Sequence, residues 1–503
     1  MKFICISQGW DGCAVSYMLQ HEGADITLGQ IQDKSELRNG DDHEEPKEKA
    51  SRLKQFDGML KKVPAKELIK ALIKVKNKDD YFIFVDQNSL WYYAEILVKA
   101  GFTKGLFPTK KDYEFEKSRE MSMEFVSANY EGIDIIPFEE FSTVDDAIDF
   151  LEESDIVYVI QSKGDHVSTY VPQNDDAEVA KKESIGQLEK YRKEYEKGGL
   201  ILKTKLIEPV EITPQAVFFD GKLVYTDLDI ETKNIGDGQN NGNQVGCGNS
   251  LLIATDEKDS INKIAFPKAV YDMAKEHTGL FVWDISLYLL DGKMYFGEFC
   301  PNRFGYDSVM AECDMAGGVE KFFCAIMCGK KPLKAKFGTS LRLFNLSLKE
   351  GQTINFEGVE EHTWLYEAYK KGEDGDDILS LGDCWDLGVV SSSADTIEEA
   401  VDKLYEYKEK FSFKEVYARS KSDFLADYPT SMIHRFNAIN HKYIEAPGLK
   451  SYDTVREELK AELNKEYENT YASIKSEYDM KYSKVKNLIK DIIYGEDTEQ
   501  QEE

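Results

Sequence analysis

Two carboxylates carry the first chemical suggestion in this sequence. Asp284 and Glu298 flank the turn Asp291-Gly292 in GLFVWDISLYLLDGKMYFGEFCPNRFGYD, residues 279–307. Asp-Gly between two β-rich runs is a strong hairpin signal. The acids are equally spaced about Asp291, so pairing across the hairpin can bring them close together. Asn302 and Arg303 follow in a loop broken by Pro301 and Gly305. Two carboxylates and an amide oxygen are hard donors, the set that holds Mg²⁺ against nucleotide phosphates. A solvated surface hairpin fits the same residues, and spacing alone does not choose between the two.

Several elements must position these groups. KFICIS (2–7) reads as a buried strand, followed by a turn with Gly9 and Gly12 and a helical apolar pattern. That is the opening of a doubly wound domain, whose helix N-terminus offers amides to an anion. YFIFV (81–85) is a second buried strand, ending at Asp86. Residues 33–62 are strongly charged and read as a solvated insertion. DIVYVIQSKG ends a strand at Lys163-Gly164, where an ammonium could meet phosphate. Residues 200–228 read as strands with an Asp220-Gly221 hairpin. The Gly- and Asn-rich stretch 231–251 reads as a long loop with many free amides. It suits an anion, or is a flexible surface loop. Short strands and a helix, TIEEAVDKLYEYKEKF, follow residue 338. The tail 451–494 shows one helical apolar stripe, suited to packing on the body or to self-association.

The chain has 503 residues, enough for three or four domains. Its 42% hydrophobic content excludes wholesale disorder. A net charge of −30 argues against general nucleic-acid binding. Eight cysteines without a CxxC pair read as reduced, buried thiols of a cytosolic protein, with Cys324 and Cys328 as core packing. No signal peptide or membrane-spanning run is expected.

Asp284, the Asp-Gly turn, Glu298 and PNRFG together resemble the metal-binding end of ATP-grasp ligases. EFCPNRFGYD is similar to EFNxRFGDPE of the glycinamide ribonucleotide synthetase (phosphoribosylamine–glycine ligase) family, and the resemblance covers roughly residues 1–425. It implies an α/β and α+β multidomain fold. An N-terminal doubly wound α/β domain (1–104) is followed by an ATP-grasp domain (105–328) and a small C-terminal α+β lobe (329–445). A helical acidic tail (446–503) departs from the family.

The implied function is ATP-dependent carboxylate–amine ligation through an acyl phosphate in cytoplasmic purine biosynthesis, with small-molecule acid and amine substrates. ATP and Mg²⁺, with Mn²⁺ as a substitute, are the implied cofactors. Lys117, Lys163, Gly164 and Glu211 match nucleotide-binding positions, and Asp284, Glu298 and Asn302 the metal site. Lys233, Asn243 and Arg303 match the transfer site. Gly9, Asp11, Gly12, Gly246, Gly248 and Gly305 match substrate-binding positions.

Three departures stand beside the matches. The first loop lacks the family's Arg-Glu-His, Asp165–Thr169 replaces a glycine-rich flap, and Cys300 occupies the Glu-x-Asn position. They leave open a ligase for another acid and amine, or an ATP-binding or structural descendant without turnover.

Overall fold

In the computed structural model of the chain, the described residues are 1–36, 46–163, 169–174, 176–207, 209–238, 241–242, 244–303, 307–371, 377–382, 385–413, 415–428, 430–440 and 442–444, with 460, 465, 470, 475–476 and 480–485 beyond them. The chain forms two units, Met1–Ile444 and Glu445–Glu503. In the second, the described residues are helical and exposed, Val485 of the apolar stripe among them. The rest of that stripe lies outside the described residues.

Unit 1 begins with five parallel strands in the order β3-β2-β1-β4-β5: β1 Lys2–Ser7, β2 Asp25–Gln30, β3 Lys62–Pro64, β4 Tyr81–Val85 and β5 Gly105–Leu106. KFICIS and YFIFV form the central pair because their apolar runs are covered on both faces. The sheet does not stop there. Leu106 of β5 pairs with Leu280, joining the parallel half to a large antiparallel half.

Between the two halves lie β6 Ile133–Ile135, β7 Phe138–Phe141, β8 Tyr158–Ser162 and β9 Leu200–Thr204. The last three form a separate antiparallel sheet, β7-β9-β8, packed on helices Val144–Glu153 and Ala177–Lys190 around Leu151, Ile160, Leu188 and Leu202. The antiparallel half is built from β10 Val210–Phe219, β11 Lys222–Asn234, β12 Gln244–Thr255, β13 Leu280–Leu290, β14 Lys293–Phe299 and β15 Phe337–Phe344. Its order is β15-β12-β11-β10-β13, with β14 on β13. Both Asp-Gly turns form as expected. Asp220 and Gly221 have φ of 48° and 73°, and Asp291 and Gly292 have 51° and 77°, the positive pair a type I′ turn demands.

The structure corrects three local expectations. The stretch 231–251 is not one long loop: β11 runs to Asn234 and β12 starts at Gln244, with Asn234 opposite Gln244. The charged stretch 33–62 is not wholly solvated. Its helix Pro46–Lys54 buries nothing, but Gln55, Phe56 and Met59 are buried. Cys324 and Cys328 are exposed, not core.

Asp112 ties the start of the helix Lys110–Lys117 to the hairpin. It closes a capping box with Thr109, accepts from Asn302 Nδ2 at 2.8 Å and lies 3.0 Å from His277 Nε2. Burial opposes charge on His277, but the Asp112 carboxylate outweighs it and raises the imidazole above its ordinary 6.5. A raised folded pKa stabilises fully below the unfolded value and is lost as pH climbs through the folded one. Urea denaturation is therefore expected to show stability falling as pH rises above 6.5. That component should be missing in His277→Gln; an unchanged slope in the variant would refute the assignment.

Candidate active site

The site is a sheet face. Side chains alternate along a strand, so every second residue of β11 — Asp227, Asp229, Glu231 and Lys233 — shares one side. Register aligns the neighbours. Gln215 of β10 lies between Asp227 and Asp284, and Thr213 stands opposite Asp229. Ser286 of β13 pairs with Glu298 of β14, while Cys300 N–H donates to Asp284 O at 3.1 Å. Asp284 and Glu298, remote in sequence, thus come to neighbouring positions across the β13–β14 ladder.

Lys233 links the acids. Its Nζ lies 2.9 Å from Glu211 and 3.5 Å from both Glu231 and Glu298. Burial works against its charge, but Glu211, Glu298 and Glu231 together hold it above the usual lysine range. Lys233 in turn keeps Glu298 below the ordinary carboxylate value against the effect of burial, helped by Arg119 and Arg303. The Glu298 side chain is still 56% exposed, so it stands open to a ligand. Asp284 is pushed up by burial and then by Glu231, Glu298 and Asp227. Burial, followed by Glu298, Glu116 and Asp284, pushes the Cys300 thiol well above its ordinary value.

Two cavities meet at this face. One, of about 330 Å³, is lined by Arg119, Gln161, Lys203, Lys205 and Arg435 with Lys233. Its five cationic side chains outnumber three carboxylates. Burial and then Arg119 bring Lys203 down to about 8, against the pull of Glu298 and Glu211. The other cavity, of about 210 Å³, is lined by five carboxylates and only two cations, Lys233 and Arg303. Glu231, Lys233 and Glu298 line both, forming the wall between them.

The other expected residues fall in several places. Glu211 lines the basic chamber and accepts from Ser286 Oγ at 3.0 Å. Arg303 lines the acidic chamber and pairs with Glu116 at 3.1 Å. Gly246 lines the same chamber with φ of 86°. Gly248 is a packing position, because a Cβ there would meet Asn234 O at 2.6 Å. At the first loop, Gly9 N–H is taken by Ser7 Oγ, and a Cβ on Gly12 would strike Asp86. Asp11 opens the helix Asp11–His21. Gly164, Asn243 and Gly305 lie outside the described residues.

Three assignments are corrected. Asn302 does not face Asp284 and Glu298. It is fully buried, its Oδ1 accepts from Val282 N–H at 2.8 Å, and its Nδ2 donates to Asp112. Lys117 lies on the exposed side of its helix, whereas Arg119, two residues on, reaches the basic chamber. Lys163 pairs with Glu140 and lies outside that chamber's lining, which takes Gln161 and Lys203 instead.

Asp227, Asp229, Glu231 and Arg119 were missed. The signal for the first three is the alternation in DLDIETK, a polar face within an otherwise apolar strand. Arg119 is marked only by Ser118, whose hydroxyl caps the helix Arg119–Asn129.

Asp284 and Glu298 fit Mg²⁺. They are hard oxygen donors in a surplus of negative charge. Among the described residues no group of three or more His, Cys, Asp or Glu could hold a metal ion. Two carboxylates leave coordination positions for phosphate and water, the usual Mg²⁺ arrangement.

No protein-family profile and no curated protein matches the chain. Solved structures do. Phosphoribosylamine–glycine ligase from Thermotoga maritima is 17% identical, with 83% of this chain and 99% of that one covered at a TM-score of 0.57. The biotin carboxylase domain of Hydrogenobacter thermophilus 2-oxoglutarate carboxylase, solved with MgADP, ADP and bicarbonate, is 14% identical. It covers 82% of this chain and 91% of its own at a TM-score of 0.50. Sequence identities this low speak to the fold. With a small antiparallel sheet and a large sheet both lining the basic chamber, the chain has the ATP-grasp fold, in a divergent form.

Proposed function

We propose that the protein is an ADP-forming carboxylate–amine ligase. ATP phosphorylates a carboxylate, and an amine then displaces phosphate from the acyl phosphate to form an amide. The observation that best supports this is the pair of chambers, one basic and one acidic, sharing Lys233 and Glu298 as their wall. A triphosphate suits the basic chamber, and its terminal phosphoryl would lie beside that wall.

Arg119, Lys203 and Lys233 supply positive charge for the phosphates. Asp284 and Glu298 would hold Mg²⁺, which neutralises charge developing on the transferred group. Arg303 offers a planar fork to the substrate carboxylate. In this reading residues 1–104 form the acceptor side, 105–328 the nucleotide site and 329–445 its support. Residues 446–503 are a tail available for self-association.

Glycine and phosphoribosylamine, the pair in the name of the Thermotoga enzyme, are the first substrates to test. The experiment is ADP release from Mg²⁺-ATP with that pair and then with a panel of other acids and amines. Release with any one pair supports the ligase and names its substrates. Tight ATP binding without release under any condition would favour a second reading, a nucleotide-binding descendant without turnover. That reading is favoured by Lys163 being paired with Glu140, away from the chamber.

A further inference from the structure

One buried cation at the basic chamber lacks a counter-ion. The helix Met432–Ile439 lies beyond the stretch that resembles the ligase family, and it buries Met432, Arg435, Phe436 and Ile439. Those positions form the inward stripe of an amphipathic helix, with one guanidinium set among apolar side chains. Arg435 is 2% exposed and lines the basic chamber. Its Nη1 donates to the Glu231 carbonyl at 2.9 Å and its Nη2 to Thr232 Oγ1 at 2.6 Å. Both acceptors are neutral, and each terminal nitrogen keeps a second hydrogen. Nε has no partner, and no carboxylate pairs with Arg435 among the described residues.

Arg419 supplies the contrast. It is buried on the same C-terminal segment, but its guanidinium meets Asp423 at 2.8 Å through two nitrogens. Asp423 is thereby taken. Burial pulls Arg435 below the ordinary arginine range, and the more distant charges of Asp423 and Glu211 only partly offset it. A buried charge without a paired carboxylate is costly to the folded chain. Beside a cavity, an anionic ligand removes that cost.

The position of Arg435 says which part of a nucleotide it meets. Its acceptors, Glu231 and Thr232, immediately precede Lys233 in the wall between the two chambers. A third cavity, lined by Phe115, Met123, Phe138 and Phe299, shares Arg119 and Lys203 with the basic chamber but includes neither Lys233 nor Arg435. An aromatic base suits that apolar cavity, which leaves Lys233 and Arg435 at the far end of the phosphate chain.

We propose that Arg435 is a phosphate-binding residue whose guanidinium grips the distal phosphates of the nucleotide, so that the C-terminal helix completes the site. This rests on the nucleotide chamber of the ligase reading. It gives residues 329–445 a direct contact with ligand where that reading makes them support.

The test is calorimetric titration of the full chain with tripolyphosphate, AMP and a non-hydrolysable ATP analogue, all at one Mg²⁺ concentration. Arg435→Gln is expected to weaken tripolyphosphate and the ATP analogue tenfold or more, and AMP less than twofold. Arg435→Lys keeps the charge but not the planar fork, and its losses should fall in between. Removing a merely structural arginine would weaken the ATP analogue and AMP alike. If Arg435→Gln fails to fold, Arg435→Lys decides by the same comparison. Equal weakening of the ATP analogue and AMP, tripolyphosphate binding untouched by either substitution, or no binding of either polyphosphate by the wild type would overturn the proposal. An intact dependence on Arg435 beside no ADP release with any acid and amine would instead overturn the ligase reading alone.

Discussion

Glu298→Ala is expected to lower Mg²⁺-ATP-dependent ADP release by about a hundredfold or more, since a metal-stabilised transferring phosphoryl is worth several kcal/mol. The side chain is open to ligand, and its charge is maintained by Lys233, Arg119 and Arg303. Removing it leaves Lys233 its ion pairs with Glu211 and Glu231, so the fold should survive. Circular dichroism and calorimetric Mg²⁺ titration with an ATP analogue would separate a lost metal site from a lost fold.

Asn302→Ala makes the contrast. Its amide braces Val282 and Asp112, so its loss should cost about 1–3 kcal/mol of stability through unpaired buried groups while leaving Mg²⁺ affinity unchanged. Full turnover in Glu298→Ala would remove this residue from the site. A metal defect in Asn302→Ala would restore the original assignment.

Arg419→Ala is expected to destabilise unit 1 by about 3–5 kcal/mol, the cost of breaking a buried ion pair and stranding its partner. Arg419 and Asp423 are both fully buried, joined by two contacts of 2.8 Å. The remaining guanidinium donors reach the carbonyls of Asn234, Gly236 and Gly238. Asp423 accepts from Gly238 N–H at 2.9 Å, Asn249 Nδ2 at 3.1 Å and Tyr428 OH at 3.1 Å. This pair therefore clamps the end of β11, one residue beyond Lys233. Guanidinium denaturation should show the loss, and turnover should fall with it. Asp423→Leu with Arg419→Leu should lose less than either alone, because replacing a whole buried pair removes the stranded charge. A stability change for Arg419→Ala within about 1 kcal/mol, the range of exposed pairs, would show that the clamp is not needed.

The sequence by itself determined the strands with apolar runs, both Asp-Gly turns and the facing of Asp284 and Glu298. These follow from local rules: two-residue alternation, and φ values that glycine and aspartate tolerate in a tight turn. It also determined that residues 227–233 would carry a charged face if they formed a strand.

Only the tertiary structure decided which basic side chains meet the basic chamber. Lys117 and Lys163 stand in suggestive local contexts, yet the chamber takes Arg119 and Lys203. A side chain's direction depends on the helix face and strand register that packing selects, and one or two residues of displacement turn it away. Asn302 shows the same limit, because an amide beside a metal site and an amide bracing a turn look alike until the loop's partners are in place. The clamp at Arg419 was illegible for a further reason. It joins groups more than 180 residues apart, and no local pattern marks which buried arginine will find which loop.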